Sequence, residues 1–287
     1  MEDKKNIIVI HHNDADGRCA AAIVNQKFQG QPIDFIEMDY VKVLSLGEIG
    51  KDEMVFIVDF SLKPEVMVKL LEITPNVIWC DHHATAKFYD YGQELAGFRD
   101  FSDKGLCGAE CTWRYLNGAN LFPWGLNLLG DYDSWRMKLK PSCLEFYEGL
   151  KLRPQHPSRE TWSKLLSDST EWVHEVMAQG RAVIEYRDIY CEEMNKAFGF
   201  ATEFEGLKIW VTNIYRFGSQ AYGDRMQQYD ACVACAFDGI KWTVSLYSEK
   251  PNVDVSLICK KYGGGGHKGA AGFTCNKLPF KKINMKE

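Results

Sequence analysis

Three short, continuous apolar runs each stop abruptly at acid or imidazole, and this pattern constrains the chain most. Ile7-Ile8-Val9-Ile10 runs into His11-His12-Asn13-Asp14-Ala15-Asp16-Gly17, Val55-Phe56-Ile57-Val58 into Asp59-Phe60-Ser61, and Val77-Ile78-Trp79-Cys80 into Asp81-His82-His83. Unbroken apolar runs of this length predict strands buried on both faces, because a half-exposed strand would alternate. Helical patterns follow the first two, over Arg18–Phe28 and Pro64–Glu72, the second with proline near its start. Strand–helix alternation of this kind predicts a parallel sheet covered by helices. All carboxyl ends of such a sheet share one edge, which is where ligands bind.

One Asp after a strand is unremarkable, since Asp also caps the helix that follows. Three strands delivering Asp and His to one edge is a different matter. Carboxylates gathered within a few ångströms repel one another and must either take up protons or bind cations. Mixed Asp and His donors suit Mn²⁺, Fe²⁺, Co²⁺ or Zn²⁺, and a carboxylate-rich set also admits Mg²⁺. There are enough donors here for two ions, an arrangement that supports in-line displacement at phosphorus. A further acid is expected from Gly130-Asp131-Tyr132-Asp133-Ser134-Trp135, where two acids two positions apart do not point the same way, so one of them reaches the cluster.

Helices are expected over Gly108–Leu116, Trp124–Leu129 and Val255–Lys261, and one long helical stretch over Glu160–Ala197. Strands are expected over Leu207–Val211, Ala231–Phe237 and Trp242–Leu246, with a terminal strand and frayed tail from Lys277. Between the last helix and the apolar Ala270-Ala271-Gly272-Phe273 lies Gly263-Gly264-Gly265-Gly266-His267-Lys268. Consecutive glycines let backbone N–H groups line a concavity for an anion, which predicts a phosphate-binding loop. Tyr222 and Arg225 lie in a second polar loop, with Arg225 the candidate phosphate clamp.

The net charge of −5 argues against broad, sequence-indifferent binding to long duplex DNA. No apolar run approaches the ~18 residues a membrane span needs, and the ten scattered cysteines, many inside apolar runs, suit a reducing cytoplasm better than a disulfide scaffold. Cys232 and Cys235, three apart in a strand-like run, face opposite sides and are expected to pack, as are Cys107 and Cys111.

In order and spacing, Asp14-Ala15-Asp16-Gly17, Asp59, the literal Asp81-His82-His83 and Gly264-Gly265-Gly266-His267 resemble the motifs of the DHH/DHHA1 phosphoesterases, over nearly the whole chain from His12 to Phe273. The resemblance implies an α/β protein in which an N-terminal parallel-sheet DHH domain (1–140) is joined by a helical connector (141–200) to a smaller C-terminal α/β DHHA1 domain (201–287). It implies two divalent cations, usually Mn²⁺, with Mg²⁺ or Co²⁺ as alternatives. Asp14, Asp16, Asp59 and His82 correspond to direct ligands, Asp81 joins or orients that set, and His83 faces the reacting phosphate. Asp133 maps best to the last acid of the family, with Asp131 as the alternative. Relatives that carry a ligand His four residues before the first Asp have their counterpart here in Ile10, and His12 stands nearer as a further candidate. Gly264, Gly265, Gly266, His267 and Arg225 are the expected substrate contacts. The implied activity is hydrolysis of short single-stranded oligonucleotides or small nucleotides such as 3′-phosphoadenosine 5′-phosphate, with a homodimer among the allowed assemblies. Pyrophosphate or polyphosphate hydrolysis, and a non-catalytic nucleotide sensor, are the alternatives.

Overall fold

A computed structural model describes residues 6–40, 42–167 and 169–281. Its elements run β1 (Ile7–His12), α1 (Ala15–Lys27), β2 (Ile33–Met38), β3 (Met54–Val58), α2 (Pro64–Ile73), β4 (Val77–Cys80), α3 (Gly108–Asn117), α4 (Trp124–Asp133), α5 (Ser142–Leu150), α6 (Glu160–Leu166) and α7 (Thr170–Phe198). They continue with β5 (Gly199–Phe204), β6 (Leu207–Thr212), α8 (Arg225–Gln228), β7 (Ala231–Phe237), β8 (Trp242–Tyr247), α9 (Val255–Lys261), β9 (Gly265–His267) and β10 (Ala270–Cys275). The chain divides into two compact units within α7, residues 1–182 and 183–287. Residues 141–182, expected to belong to a connector, thus lie in the first unit.

The first unit is built on a four-stranded sheet, order β2-β1-β3-β4, with every pairing parallel. Its central strands explain why the apolar runs are unbroken. Ile7, Val9, Phe56 and Val58 pack into a core shared with α1 and with residues of α3 to α7, while Ile8, Ile10, Val55 and Ile57 pack into the core on the other face with Met67 and Leu70 of α2. Both faces are covered, so each successive residue has apolar company. β2 was not evident in the sequence. It is an edge strand whose Asp34 and Glu37 interrupt the apolar pattern, as edge strands commonly do.

The second unit holds a six-stranded mixed sheet, order β5-β6-β7-β8-β10-β9, in which only β6 and β7 run parallel. Cys232 and Cys235 of β7 enter different clusters of this unit, as their spacing in a strand requires. No helix among the described residues is long and apolar enough to cross a membrane.

Three expectations are corrected. The stretch over Glu160–Ala197 is two helices, α6 and α7, not one. The glycine run is not a loop throughout, since Gly265–His267 form an edge strand against β10. β10 is the last strand, and residues 276–281 form none; residues 282–287 of the expected tail lie outside the described residues.

The backbones of α5 and α7 meet closely through two glycines. A Cβ added to Gly180 would fall 1.7 Å from the Glu145 carbonyl oxygen, and one added to Gly149 would fall 2.0 Å from that of Val176. Gly180→Ala is therefore expected to cost about 1–3 kcal/mol through overpacking. Gly47→Ala, with no heavy atom within 4 Å of the added carbon, should stay within about 0.5 kcal/mol of the parent. Urea unfolding midpoints of the two variants check the contrast.

Candidate metal centre

The carboxyl ends of β1, β3 and β4 deliver the expected residues to one place, and α4 adds a fourth contribution. Three overlapping groups of donor atoms, each mutually within 4.8 Å, comprise Asp59, His82 and His83; His12, Asp14 and Asp59; and Asp16, His82 and Asp133. Asp59 and His82 each belong to two of the groups. His82 Nε2 lies 3.2 Å from Asp59 Oδ1, 3.5 Å from Asp133 Oδ2 and 3.7 Å from Asp16 Oδ2. His12 Nδ1 lies 2.7 Å from Asp14 Oδ2 and 3.9 Å from Asp59 Oδ2.

Local backbone rules set these positions. Asp14 is the N-cap of α1 and accepts the Gly17 N–H at 2.9 Å. Asp16, in the first turn of the same helix, accepts the N–H groups of Gly108 at 2.7 Å and Ala109 at 2.9 Å, so the N-terminus of α3 holds its carboxylate. Asp59 adopts a left-handed backbone, φ 51°, a conformation unusual outside glycine and concentrated at functional sites. Gly108 lies against it, because a Cβ there would fall 2.3 Å from Asp59 Cβ.

Asp59 also tests whether a cation fits. It is fully buried, and neither of its carboxylate oxygens accepts a hydrogen bond from the described residues. A buried charged oxygen left so is costly unless something outside the polypeptide satisfies it. Burial pushes the Asp59 carboxyl well above the ordinary range, and the nearby Asp16, Asp14, Asp133 and Asp81 add to that. Asp133 is raised in the same way by burial and by Asp16 and Asp14. Asp14 behaves oppositely: burial would raise it, yet the His12 hydrogen bond and charge bring it down to about 2. Orphaned carboxylate oxygens beside imidazole nitrogens fit a divalent cation.

Asp81 belongs to none of the three groups. Its oxygens are taken by the Ser61 hydroxyl, by the His82 N–H at 2.8 Å and by His83 Nδ1 at 2.8 Å. Burial would raise its carboxyl, but the His83 and Ser61 contacts hold it below the ordinary range. His83 is thereby raised, against the lowering effect of its own burial. Asp131 is turned away, accepting the N–H groups of Lys138 at 3.1 Å and Leu139 at 2.9 Å.

No protein-family model matches the chain. An uncharacterized protein of Acanthamoeba polyphaga mimivirus is 25% identical over 316 aligned positions, covering 99% of this chain and 71% of that protein. Among solved structures, a DHH domain from a member of a ribosomal-protein family superposes with TM-score 0.56 at 12% identity, covering 94% of this chain and 82% of that one. The pGpG-specific phosphodiesterase PggH of Vibrio cholerae superposes with TM-score 0.53 at 13% identity, covering 96% and 94%. A manganese-bound RecJ exonuclease gives 0.52 at 16% identity, covering 95% and 86%. The chain has the DHH fold.

In the second unit of this DHH-fold chain, the glycine run is shaped by close approach. A Cβ at Gly264 would fall 2.0 Å from the Gly272 carbonyl oxygen, and Gly266, with φ 140°, would place one 2.6 Å from Ala271 Cα. Gly265 has open space there instead. β9 ends the sheet, so one side of its backbone has no strand partner among the described residues, and His267 is exposed. Arg225 does not stand free: it donates to Glu192 at 2.7 and 3.2 Å and lies over the Trp210 ring. Tyr222 is fully buried among Cys191, Ile214 and Met226, which removes it as a contact for a base.

Several contributors were invisible in the sequence. No local spacing links Asp16 to the α3 N-terminus 92 residues away. Buried Glu110 accepts the Cys107 N–H at 3.0 Å and an Arg136 N–H at 2.8 Å, tying α3 to the segment after Asp133. Ser61 stands two residues beyond Asp59 in the run that follows β3, but its role shows only when β3 and β4 are side by side.

The raised carboxyls of Asp59 and Asp133 mean that the metal-free native state binds more protons than the unfolded chain between the ordinary carboxylate range and their raised values. Their contribution to stability therefore falls as pH rises through that window. A cation must displace those protons. The thermal shift produced by Mn²⁺ is expected to grow between acidic and neutral pH. Asp59→Asn is expected to melt higher than the parent in EDTA and to lose most of the Mn²⁺ shift; differential scanning calorimetry across pH reads both effects.

Proposed function

We propose that this protein is a metal-dependent phosphoesterase that hydrolyses short oligonucleotides or small nucleotides. The observation that carries the reading is Asp59: a buried carboxylate with both oxygens unsatisfied, shared by two of the three donor groups. The DHH fold supports it, since structures of that fold include proteins described as a phosphodiesterase and an exonuclease. Sharing of Asp59 and His82 between groups supports two ions, and the mixed carboxylate and imidazole donors favour Mn²⁺.

When bound, such ions supply Lewis acidity toward phosphoryl oxygens and make water a stronger acid. The chain's own residues do the rest. His12, Asp14, Asp16, Asp59, His82 and Asp133 would hold the ions, Asp59 and His82 each being common to two of the donor groups. Asp81 fixes the His83 ring through Nδ1 at 2.8 Å, which leaves Nε2 to hydrogen-bond a phosphoryl oxygen or to protonate the departing one. Ser61 and the backbone N–H groups of His82 and His83 keep Asp81 in that role. Gly264, Gly265, Gly266 and His267 bind the terminal phosphate of the substrate, their backbone approachable because no side chain intervenes. Arg225 takes no part in this scheme, because its guanidinium is engaged by Glu192.

Purified protein with Mn²⁺ is expected to cleave a dinucleotide or 3′-phosphoadenosine 5′-phosphate faster than a long oligonucleotide or polyphosphate. His83→Gln should lower kcat by roughly 10²–10⁴ with little change in Mn²⁺ affinity, whereas Asp59→Asn should abolish both. Absence of any Mn²⁺-dependent release of nucleotide or phosphate across that panel contradicts the proposal.

A further inference from the structure

An aromatic residue stands beside the metal donors, and nothing in the scheme above uses it. Tyr40 follows β2, and its ring stacks on Phe60, centroids 5.0 Å apart at 27°. The ring centroid lies 5.6 Å from that of His12 and 5.9 Å from that of His83. Phe60 is buried, directly follows Asp59, and also stacks on His12 at 6.1 Å. Tyr40 is thus seated on a rigid support, yet it remains 58% exposed.

A single exposed aromatic ring is ordinary on a protein surface. This one differs in its support and its place: one face is packed on Phe60, its surroundings are the donor histidines, and the rest of the ring faces solvent. A phosphate held at those donors carries its nucleoside only a few bonds away, within reach of the ring. The site itself is crowded with carboxylates, which repel additional anionic groups. A neutral, flat, polarisable group meets no such penalty, and base–aromatic stacking tolerates any base because every base offers a π-face.

Resting on the phosphoesterase reading, we infer that Tyr40 is a specificity-determining residue that stacks on a nucleobase of the substrate, so that the site prefers nucleotides over phosphate chains without bases. The contact is with the ring face. The hydroxyl is not needed for it, and phenylalanine should substitute.

The experiment compares a dinucleotide with the same backbone lacking both bases, for wild type, Tyr40→Ala and Tyr40→Phe in Mn²⁺. Wild type is expected to favour the dinucleotide by roughly tenfold or more, expressed in KM rather than kcat. Tyr40→Ala should erase that preference and Tyr40→Phe should keep it. A second arm uses a dinucleotide carrying 2-aminopurine with Ca²⁺ replacing Mn²⁺, and its fluorescence should be quenched by wild type and Tyr40→Phe but not by Tyr40→Ala. Preference or quenching that survives in Tyr40→Ala overturns the inference, as does their absence in wild type. Failure of wild type to cleave either substrate overturns the phosphoesterase reading instead, and the quenching arm then decides the stacking alone.

Discussion

Mutual repulsion among carboxylates at the carboxyl edge of a parallel sheet is the constraint around which the first unit is organised. Asp14, Asp16 and Asp59 are brought together by strands whose register is fixed, because Ile7 to Ile10 and Val55 to Val58 are buried on both sheet faces, and the end of α4 adds Asp133. The hydrophobic cores thereby force together charges that would separate in solution. Each carboxylate is then treated differently. Asp14 is paired with His12, Asp16 is held by two N–H groups of α3, and Asp81 is saturated by Ser61, His82 and His83. Fully buried Asp59 has no hydrogen-bond partner for either oxygen among the described residues, and it sits in a left-handed conformation that Gly108 makes room for.

That division of labour separates carboxylates and imidazoles gathered as candidate cation donors from residues that position those donors. The second kind is as tightly built as the first. Glu110 and Arg136 lock the α3 N-terminus to the segment after Asp133, so the two regions that position Asp16 and Asp133 are braced against one another. Such outer contacts set ligand geometry in metal sites generally. They also explain why the site tolerates a strained residue: the surrounding packing fixes it.

Much of this was legible in the chain itself. The unbroken β-branched runs implied a sheet covered on both sides, and the acids just beyond them implied a site at one edge. Of the two acids Asp131 and Asp133, spacing alone allowed one at the cluster, and α4 selects Asp133 by ending there. What stayed hidden depended on long-range geometry. The polar edge strand β2 lacks the apolar signature of its neighbours, and α5 starts beside a proline. The glycine run read as a phosphate-binding loop with no strand in it, because its pairing comes from close backbone contact with β10, which leaves no periodic side-chain pattern. Tyr222 and Arg225 looked available in sequence, and only their burial and the Glu192 pair show otherwise. Tyr40 gave no signal at all, since an aromatic after an edge strand is unexceptional until Phe60 and the histidines are seen around it.

The most direct test is anomalous diffraction at the manganese edge from crystals grown with Mn²⁺. Strong anomalous density is expected bonded to Asp59 and His82, with Asp14, His12, Asp16 and Asp133 completing the coordination and Asp81 and Asp131 outside it. Density elsewhere, or none within bonding distance of the Asp59 oxygens, would contradict this assignment.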